Sequence, residues 1–295
     1  MLDVSNVSKQ YSGNDFYSLK DVSFTIEKGE IVGLIGKNGA GKTTLLKLLA
    51  KSHFPTAGVI RYQGLDIFSE DNVLRPFGLM IETVYYSYLT VKQNIEFYLD
   101  IHDQSEYKKN IQSVLETVEL WHKKDFKPDG FSFGMKQRLS LAMSLVTNPE
   151  FMILDEPFVG LDPDGVNDLM RILKQWAADR GTSIIVSSHQ LNELEAICDR
   201  YLYIEGGALK KQFGKAAVEV TVIELVDALQ DRDALFSAYE AIQAISEDGK
   251  QIEVDSNSEA FHQILGTITA SHNIKKIFTK ENALNQYFKG SRDHE

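Results

Sequence analysis

Residues 36–44 read Gly-Lys-Asn-Gly-Ala-Gly-Lys-Thr-Thr, so Gly36, Lys37, Asn38, Gly39, Ala40, Gly41, Lys42, Thr43 and Thr44 match the pattern G-x-x-x-x-G-K-[ST]. Glycines let such a loop fold round a polyphosphate and turn its backbone N–H groups inward. The run before it, 30–36, is short and apolar, which reads as a buried strand, and residues 42–50 after it repeat apolar side chains at helical spacing. A strand before and a helix after are the context this motif requires. The helix N-terminus adds positive potential where phosphates would lie. Lys42 is expected to reach the β- and γ-phosphates, and the Thr43 hydroxyl to coordinate Mg²⁺.

A second element, Phe-Met-Ile-Leu-Asp-Glu at 151–156, is an apolar strand ending in two carboxylates. It places Asp155 at the C-terminal edge of a sheet, where α/β folds bind ligands. Asp155 is expected to hold Mg²⁺, directly or through water. Glu156 then stands one residue further on, suited to orient or polarise a water attacking the γ-phosphate. An apolar-Asp-Glu run alone occurs by chance; beside a phosphate loop it points to nucleotide hydrolysis.

With these two motifs the chain resembles the ATP-binding subunit of an ABC transporter, over about residues 1–213. Residues 131–138, Phe-Ser-Phe-Gly-Met-Lys-Gln-Arg, align with the family signature, usually written LSGGQ. Gly160-Leu161-Asp162 falls at the family's D-loop, and Ser187-Ser188-His189 supplies its switch histidine. Tyr11 lies where the family places an aromatic ring under adenine, with Phe16 and Tyr17 as nearby rivals. The resemblance implies ATP and Mg²⁺ as cofactors and a second ABC ATPase subunit as partner. Each ATP would lie between residues 36–44 of one subunit and Ser132 and Gly134 of the other. It further implies that Asp162 helps close the pair, that Glu156 and His189 are catalytic, and that His189 meets the γ-phosphate. Ser132 is placed to N-cap a helix running to about Val146, and a helix N-terminus with a hydroxyl and a free amide is an anion site. Phe133 and Met135 depart from the usual Gly and Gln.

The family usually carries Gln in the loop between core and helical part; here Glu82 stands there. A carboxylate is acceptor-only, and Glu82 is expected to be able to ligate Mg²⁺. This Glu, the Ser-x-Gly-Met-Lys-Gln-Arg signature and the size of the C-terminal extension resemble the bacitracin-resistance and lantibiotic-immunity ATPases. That group implies export of a peptide, antibiotic or other amphiphile through a separate integral membrane transporter subunit. The chain would then sit peripherally on the cytoplasmic face of the membrane. Whether it pairs with itself or with a second ATPase stays open. A different reading is a soluble, non-transport ABC ATPase with a regulatory or mechanochemical role. Translation members usually carry two cassettes and repair members a long coiled coil, and neither pattern is found here.

The elements that must position these residues follow from hydrophobic spacing. Strand-like runs at 2–7, 22–26, 30–36, 151–155 and 182–187 alternate with helical stretches, which gives an α/β fold with a largely parallel sheet. The expected class is a P-loop NTPase of ABC ATPase type with a helical insert at about 87–146, within a nucleotide-binding domain at 1–215. Thr90 and Gln93 are spaced for a capping box at the start of that insert. Residues 216–295 read strand, helix, strand, strand, helix, strand, with Asp248-Gly249 as a hairpin turn, and a further helix at 282–289. This order suggests a small ferredoxin-like βαββαβ accessory domain. A docking or dimer-stabilising appendage suits it better than a ligand sensor, because it holds no ligand motif.

Composition bounds the rest. The chain has 295 residues, 43% hydrophobic and 25% charged, with a formal net charge of −11, which is ordinary globular composition. The acidic whole opposes nucleic acid as a partner. The single Cys198 excludes an internal disulfide. The N-terminus has no secretory pattern, and the apolar runs are strand-sized, far from the run of about 20 that a membrane span needs. Transport therefore requires a partner chain. Cys198 is expected to pack at a helix end, and Phe77, Tyr85, Tyr86 and Tyr88 are either core or a docking face.

Overall fold

Alternation sets the first strands. Leu2–Lys9 (β1) buries Leu2, Val4 and Val7, and Leu19–Ile26 (β2) buries Leu19, Val22, Phe24 and Ile26. A period of two leaves one face of each strand for the core. The strands pair antiparallel with Leu2 opposite Ile26. Ala57–Tyr62 (β4) joins β1 from the other side, and Leu65–Asp66 (β5) extends that sheet. The computed structural model describes residues 1–69, 71–82, 84–214, 220–229, 232–256 and 258–279.

Ile31–Ile35 (β3), Phe77–Met80 (β6), Phe151–Asp155 (β7), Ser183–Ser187 (β8) and Arg200–Glu205 (β9) form the second sheet, with Ala208–Gly214 (β10) at its edge. Its order is β10-β9-β3-β8-β7-β6, parallel except for β10. β3 and β8 are buried along their whole length, as expected of parallel strands covered on both faces. Lys42–Leu49 (α1) packs Leu45, Leu46, Leu48 and Leu49 into a core shared with Val4, Ile26, Val32, Leu34, Ile153 and Ile185. On the chain between β7 and β8 runs the long helix Pro163–Arg180 (α5), closed by Gly181 with a φ of +65°.

The helical insert holds Val91–Ile101 (α2), Ile111–Thr117 (α3) and Phe133–Leu145 (α4). The capping box forms: Gln93 N–H donates to Thr90 Oγ1 at 3.2 Å, and Thr90 N–H donates to Gln93 Oε1 at 2.9 Å. Replacing Thr90 with Ala removes the first of these bonds, and a lost N-cap costs about 1 kcal/mol. A fall in melting temperature of about 2–4 °C is expected for a domain of this size; an unchanged thermal scan would remove the box from the account of the insert's stability. Ile95, Leu99, Ile111, Leu115 and Val118 are all buried, matching their helical spacing.

The chain divides into two compact units, 1–215 and 216–295. In the second unit, Val220–Leu225 (β11), Ile242–Ile245 (β12), Gln251–Asp255 (β13) and Ile274–Thr279 (β14) form an antiparallel sheet in the order β12-β13-β11-β14. Arg232–Ala238 (α7) and Phe261–Ser271 (α8) provide its two crossovers, and Leu191–Ile197 (α6) belongs to the first unit. Ile223, Leu225, Ile252, Val254, Ile264 and Ile268 make its core. This is the ferredoxin-like βαββαβ arrangement expected from the sequence. The helix expected at 282–289 lies outside the described residues.

Candidate active site

In the parallel sheet β8 lies between β3 and β7. The residues that follow these three neighbouring strands therefore meet at one edge. The phosphate loop joins β3 to α1. Gly41 there adopts a φ of +110°, and a Cβ would stand 2.7 Å from the Ser18 carbonyl oxygen, so the position admits only glycine. Lys42 is 7% exposed. Its ammonium donates to the carbonyl oxygens of Gly36 at 2.7 Å and Lys37 at 3.4 Å. Its two partners are neutral carbonyls, which leaves the positive charge for an anion.

Thr43 Oγ1 donates to Asp155 Oδ2 at 2.8 Å. Ser187 organises the other side of the same carboxylate. Its hydroxyl donates to Asp155 Oδ1 and accepts from the Glu156 N–H at 3.0 Å. The Glu156 N–H also donates to the Ser187 carbonyl at 3.1 Å. Glu156 itself has a φ of +49°, a left-handed conformation that a residue with a Cβ rarely takes. This turn immediately after β7 aims the carboxylate at the end of β8. There His189 donates to Glu156 Oε2 from its backbone N–H at 3.3 Å and from Nδ1 at 2.8 Å. A ring proton on Nδ1 makes this contact a hydrogen bond to the carboxylate.

A cavity of about 500 Å³ opens over these groups, lined by Lys37, Asn38, Gly39, Gly41, Lys42, Thr43, Thr44, Asp155 and Glu156 together with Phe16, Tyr17, Ser18, Gly206 and Gly207. Gly36 and Ala40 complete the loop from beneath: Gly36 through its bond to Lys42, Ala40 through a carbonyl that accepts from the Gly207 N–H at 3.1 Å. The donor set fits a hard dication. Thr43 and Asp155 offer two adjacent oxygens, and Mg²⁺ takes one or two protein oxygens, waters and phosphate oxygens. Among the described residues no cluster of three or more His, Cys, Asp or Glu could hold a metal by itself.

Comparison with known proteins decides the family. A family model described as ABC transporter matches residues 19–159. The ABC transporter ATP-binding protein YcbN of Bacillus subtilis is 37% identical over 241 residues, covering 79% of this chain and 76% of the relative. The bacitracin transport ATP-binding protein BcrA of Bacillus licheniformis is 35% identical over 215 residues, covering 72% of this chain and 69% of the relative. The chain belongs to the ABC transporter ATP-binding proteins. It is an ATP-binding subunit of a transporter, and it is an ATPase. Among solved structures, the dimeric ABC transporter cassette MJ0796 matches with a TM-score of 0.68 at 25% identity, over 74% of this chain and 100% of that chain.

In this ABC subunit the cavity gathers only part of the expected site. Ser132 N-caps α4, accepting from the Met135 N–H at 3.3 Å, and Asp162 N-caps α5, accepting from the Gly165 N–H at 3.1 Å. Ser132, Gly134, Asp162 and His189 stand outside the lining of the phosphate-loop cavity. Glu82 is also placed elsewhere. Its carboxylate pairs with Lys47 Nζ at 2.9 Å and lines a second cavity of about 460 Å³. Lys47 holds the Glu82 carboxyl below its usual range, and Glu82 raises Lys47 in turn. Glu82 is thus held in an ion pair with Lys47, which follows Thr43 by one helical turn.

Tyr11 likewise does not reach the cavity. Its ring meets His53 edge-on at 5.5 Å between centroids and lies under Lys9 Nζ at 5.0 Å. The reason is the loop after β1, which leaves at Lys9 and returns at Ser18, where the Ser18 N–H donates to the Lys9 carbonyl at 2.8 Å. Tyr11 sits at the base of that excursion, while Phe16 and Tyr17 line the cavity and are exposed. Ser187 as the bridge between Asp155 and Glu156, Lys47 as the partner of Glu82, and the Gly206-Gly207 turn were not legible as site residues. Only the Gly-Gly pair between two strand-like runs carried a local signal, that of a hairpin turn.

Proposed function

We propose that two ABC ATPase subunits, this chain and a second cassette, bind ATP and Mg²⁺ between them and drive a separate integral membrane subunit that exports a peptide, antibiotic or other amphiphile. The observation that carries the pairing is the division of the site. The phosphate-loop cavity holds Lys42, Thr43, Asp155 and Glu156, whereas the capped helix N-termini at Ser132 and Asp162 stand outside it. A second cassette facing the first supplies those N-termini to the bound nucleotide as anion-binding donors.

Within one site, Lys42 turns its ammonium from the Gly36 carbonyl to the β- and γ-phosphates. Thr43 Oγ1 and Asp155 would hold Mg²⁺, which would supply neutralisation of charge on the phosphate oxygens. Glu156 orients the attacking water and takes its proton on Oε1, while Oε2 stays bonded to His189. The backbone N–H groups of the loop stabilise the charge that develops at the γ-phosphate.

The membrane partner is supported by an exposed apolar surface beside Glu82. Val84, Tyr88, Phe97 and Ile101 are all exposed, and Tyr86 packs edge-on against both Tyr88 and Phe97. Aromatics and a charge-poor centre characterise protein interfaces. Among the described residues no helix is long and apolar enough to cross a membrane, so the spanning helices in this reading belong to the partner. The export of bacitracin-like cargo is suggested by the resemblance to BcrA, and the C-terminal unit serves as a docking or pairing appendage.

The test is a pull-down from detergent-solubilised native membranes with tagged wild type and Glu156→Gln in Mg²⁺-ATP, with co-purifying proteins identified by mass. A stoichiometric multi-span protein is the expected result. A second ATPase in the same preparation would mean a heterodimer. Recovery only in the soluble fraction would sink the transport reading.

A further inference from the structure

Phe133 occupies a signature position where glycine is usual, and its ring has a definite seat. A Cβ built on Gly160 would fall 2.3 Å from Phe133 Cδ1, so ring and glycine are in direct contact. Gly160 holds a φ of +73°, a conformation suited to glycine. Three further contacts join the same two segments. Leu161 Cδ2 stands 3.3 Å from where Gly134 would carry a Cβ. Gln137 Nε2 donates to the Val159 carbonyl at 3.5 Å. Arg138 Nη2 stands 3.8 Å from Asp168 Oδ2 on α5, while Nη1 pairs with Glu119. The first two turns of α4 are thereby tied to the 159–162 turn and to the second turn of α5.

Ser132 caps one of these helices and Asp162 the other, so the contacts link two helix N-termini. We propose that Phe133 is a positioning residue. By resting on Gly160 it holds the Ser132 end of α4 and the Asp162 end of α5 as one rigid face for the nucleotide of a second cassette. The inference rests on the proposed pairing of two cassettes. It also accounts for a departure from the family pattern: a glycine at 133 would leave Gly160 without a neighbour on that side, and with the ring where it stands a Cβ at 160 would clash with it. Half of the Phe133 side chain remains exposed, which leaves its outer face available to the partner without disturbing the contact below.

The test uses the full chain in a Glu156→Gln background, with Phe133→Ala and Phe133→Leu compared. Hydrogen exchange in the nucleotide-free protein reads the local contact. Phe133→Ala is expected to speed exchange at amides 159–162 by about tenfold, with Phe133→Leu within about threefold of the parent because it refills most of the volume. Light scattering in ATP reads the pairing. The same order is expected there, with the Ala variant needing about tenfold more protein to pair while a fluorescent ATP analogue binds the single subunit unchanged. Unaltered exchange in Phe133→Ala, or a Leu variant as impaired as Ala, overturns the positioning role. A Glu156→Gln parent that stays monomeric at saturating ATP overturns the pairing of this chain with a second copy of itself, and the role of Phe133 in such a pair falls with it.

Discussion

Glu156→Gln is expected to lower ATP hydrolysis by about 10²–10⁴-fold, the range set by loss of a general base, and to leave ATP binding nearly unchanged. The geometry explains both halves. The left-handed turn at Glu156 and its two backbone bonds to Ser187 depend on the main chain, so an amide of the same size keeps the position. Its oxygen can still accept from the His189 N–H and Nδ1–H, as Oε2 does now at 3.3 and 2.8 Å. What disappears is the second basic oxygen: an NH₂ group in its place donates where the water must be deprotonated. Lys42, Thr43 and Asp155 are untouched, so the nucleotide is still held. Phosphate release at saturating ATP, measured beside equilibrium binding of a fluorescent ATP analogue, checks the split. A variant that hydrolyses ATP within about threefold of the wild type would mean that proton removal by Glu156 does not limit the reaction, and the assignment of Glu156 as base would be withdrawn.

What could be read from the residues alone was the chemistry that works over a few positions of chain. The phosphate loop, the Asp155-Glu156 pair, the capping box at Thr90 and the N-cap at Ser132 are each defined within about one helical turn. All four take the expected local form. The hairpin at Asp248-Gly249 was legible for the same reason, since the Asp248 side chain accepts from the Lys250 N–H and Gly249 supplies a φ of +67°. The positions that Tyr11 and Glu82 take were not legible, because His53 and Lys47, which they meet, are remote in sequence. The Gly13-Asn14 pair beside Tyr11 marks a turn but not where its ring comes to rest, and nothing near Glu82 points to Lys47, 35 residues earlier. The strands β4 and β6 escaped for a different reason. β6 is four residues long and β4 opens with Ala-Gly, so neither shows enough alternation to be separated from loop. Their place comes from tertiary pairing with β1 and β7, which local pattern does not encode.

The second large effect is expected from Lys42→Ala, and it separates binding from folding. The Lys42 ammonium is nearly fully buried, and its two partners are the carbonyls of Gly36 and Lys37. Removing it loses two charge-assisted hydrogen bonds, worth about 1.5–3 kcal/mol each. It also removes a buried cation that pairs with carbonyl dipoles instead of a carboxylate, a cost of several kcal/mol in the nucleotide-free protein. These two contributions oppose each other, so the melting temperature without nucleotide is expected to change little. The nucleotide-bound state differs, because there the ammonium faces phosphate oxygens and no opposing contribution exists. ATP hydrolysis should fall by about 10²–10³-fold, the loss typical of one donor to developing charge. Stabilisation by ligand, about 2.7 kcal/mol at a hundredfold excess over Kd, should vanish at the same ATP concentration. Thermal scans with and without Mg²⁺-ATP read both quantities in one experiment. A Lys42→Ala protein that still gains the full thermal shift from ATP would show that the nucleotide is held by the loop's N–H groups alone. The buried cation would then have to be explained by the fold of the loop rather than by its ligand.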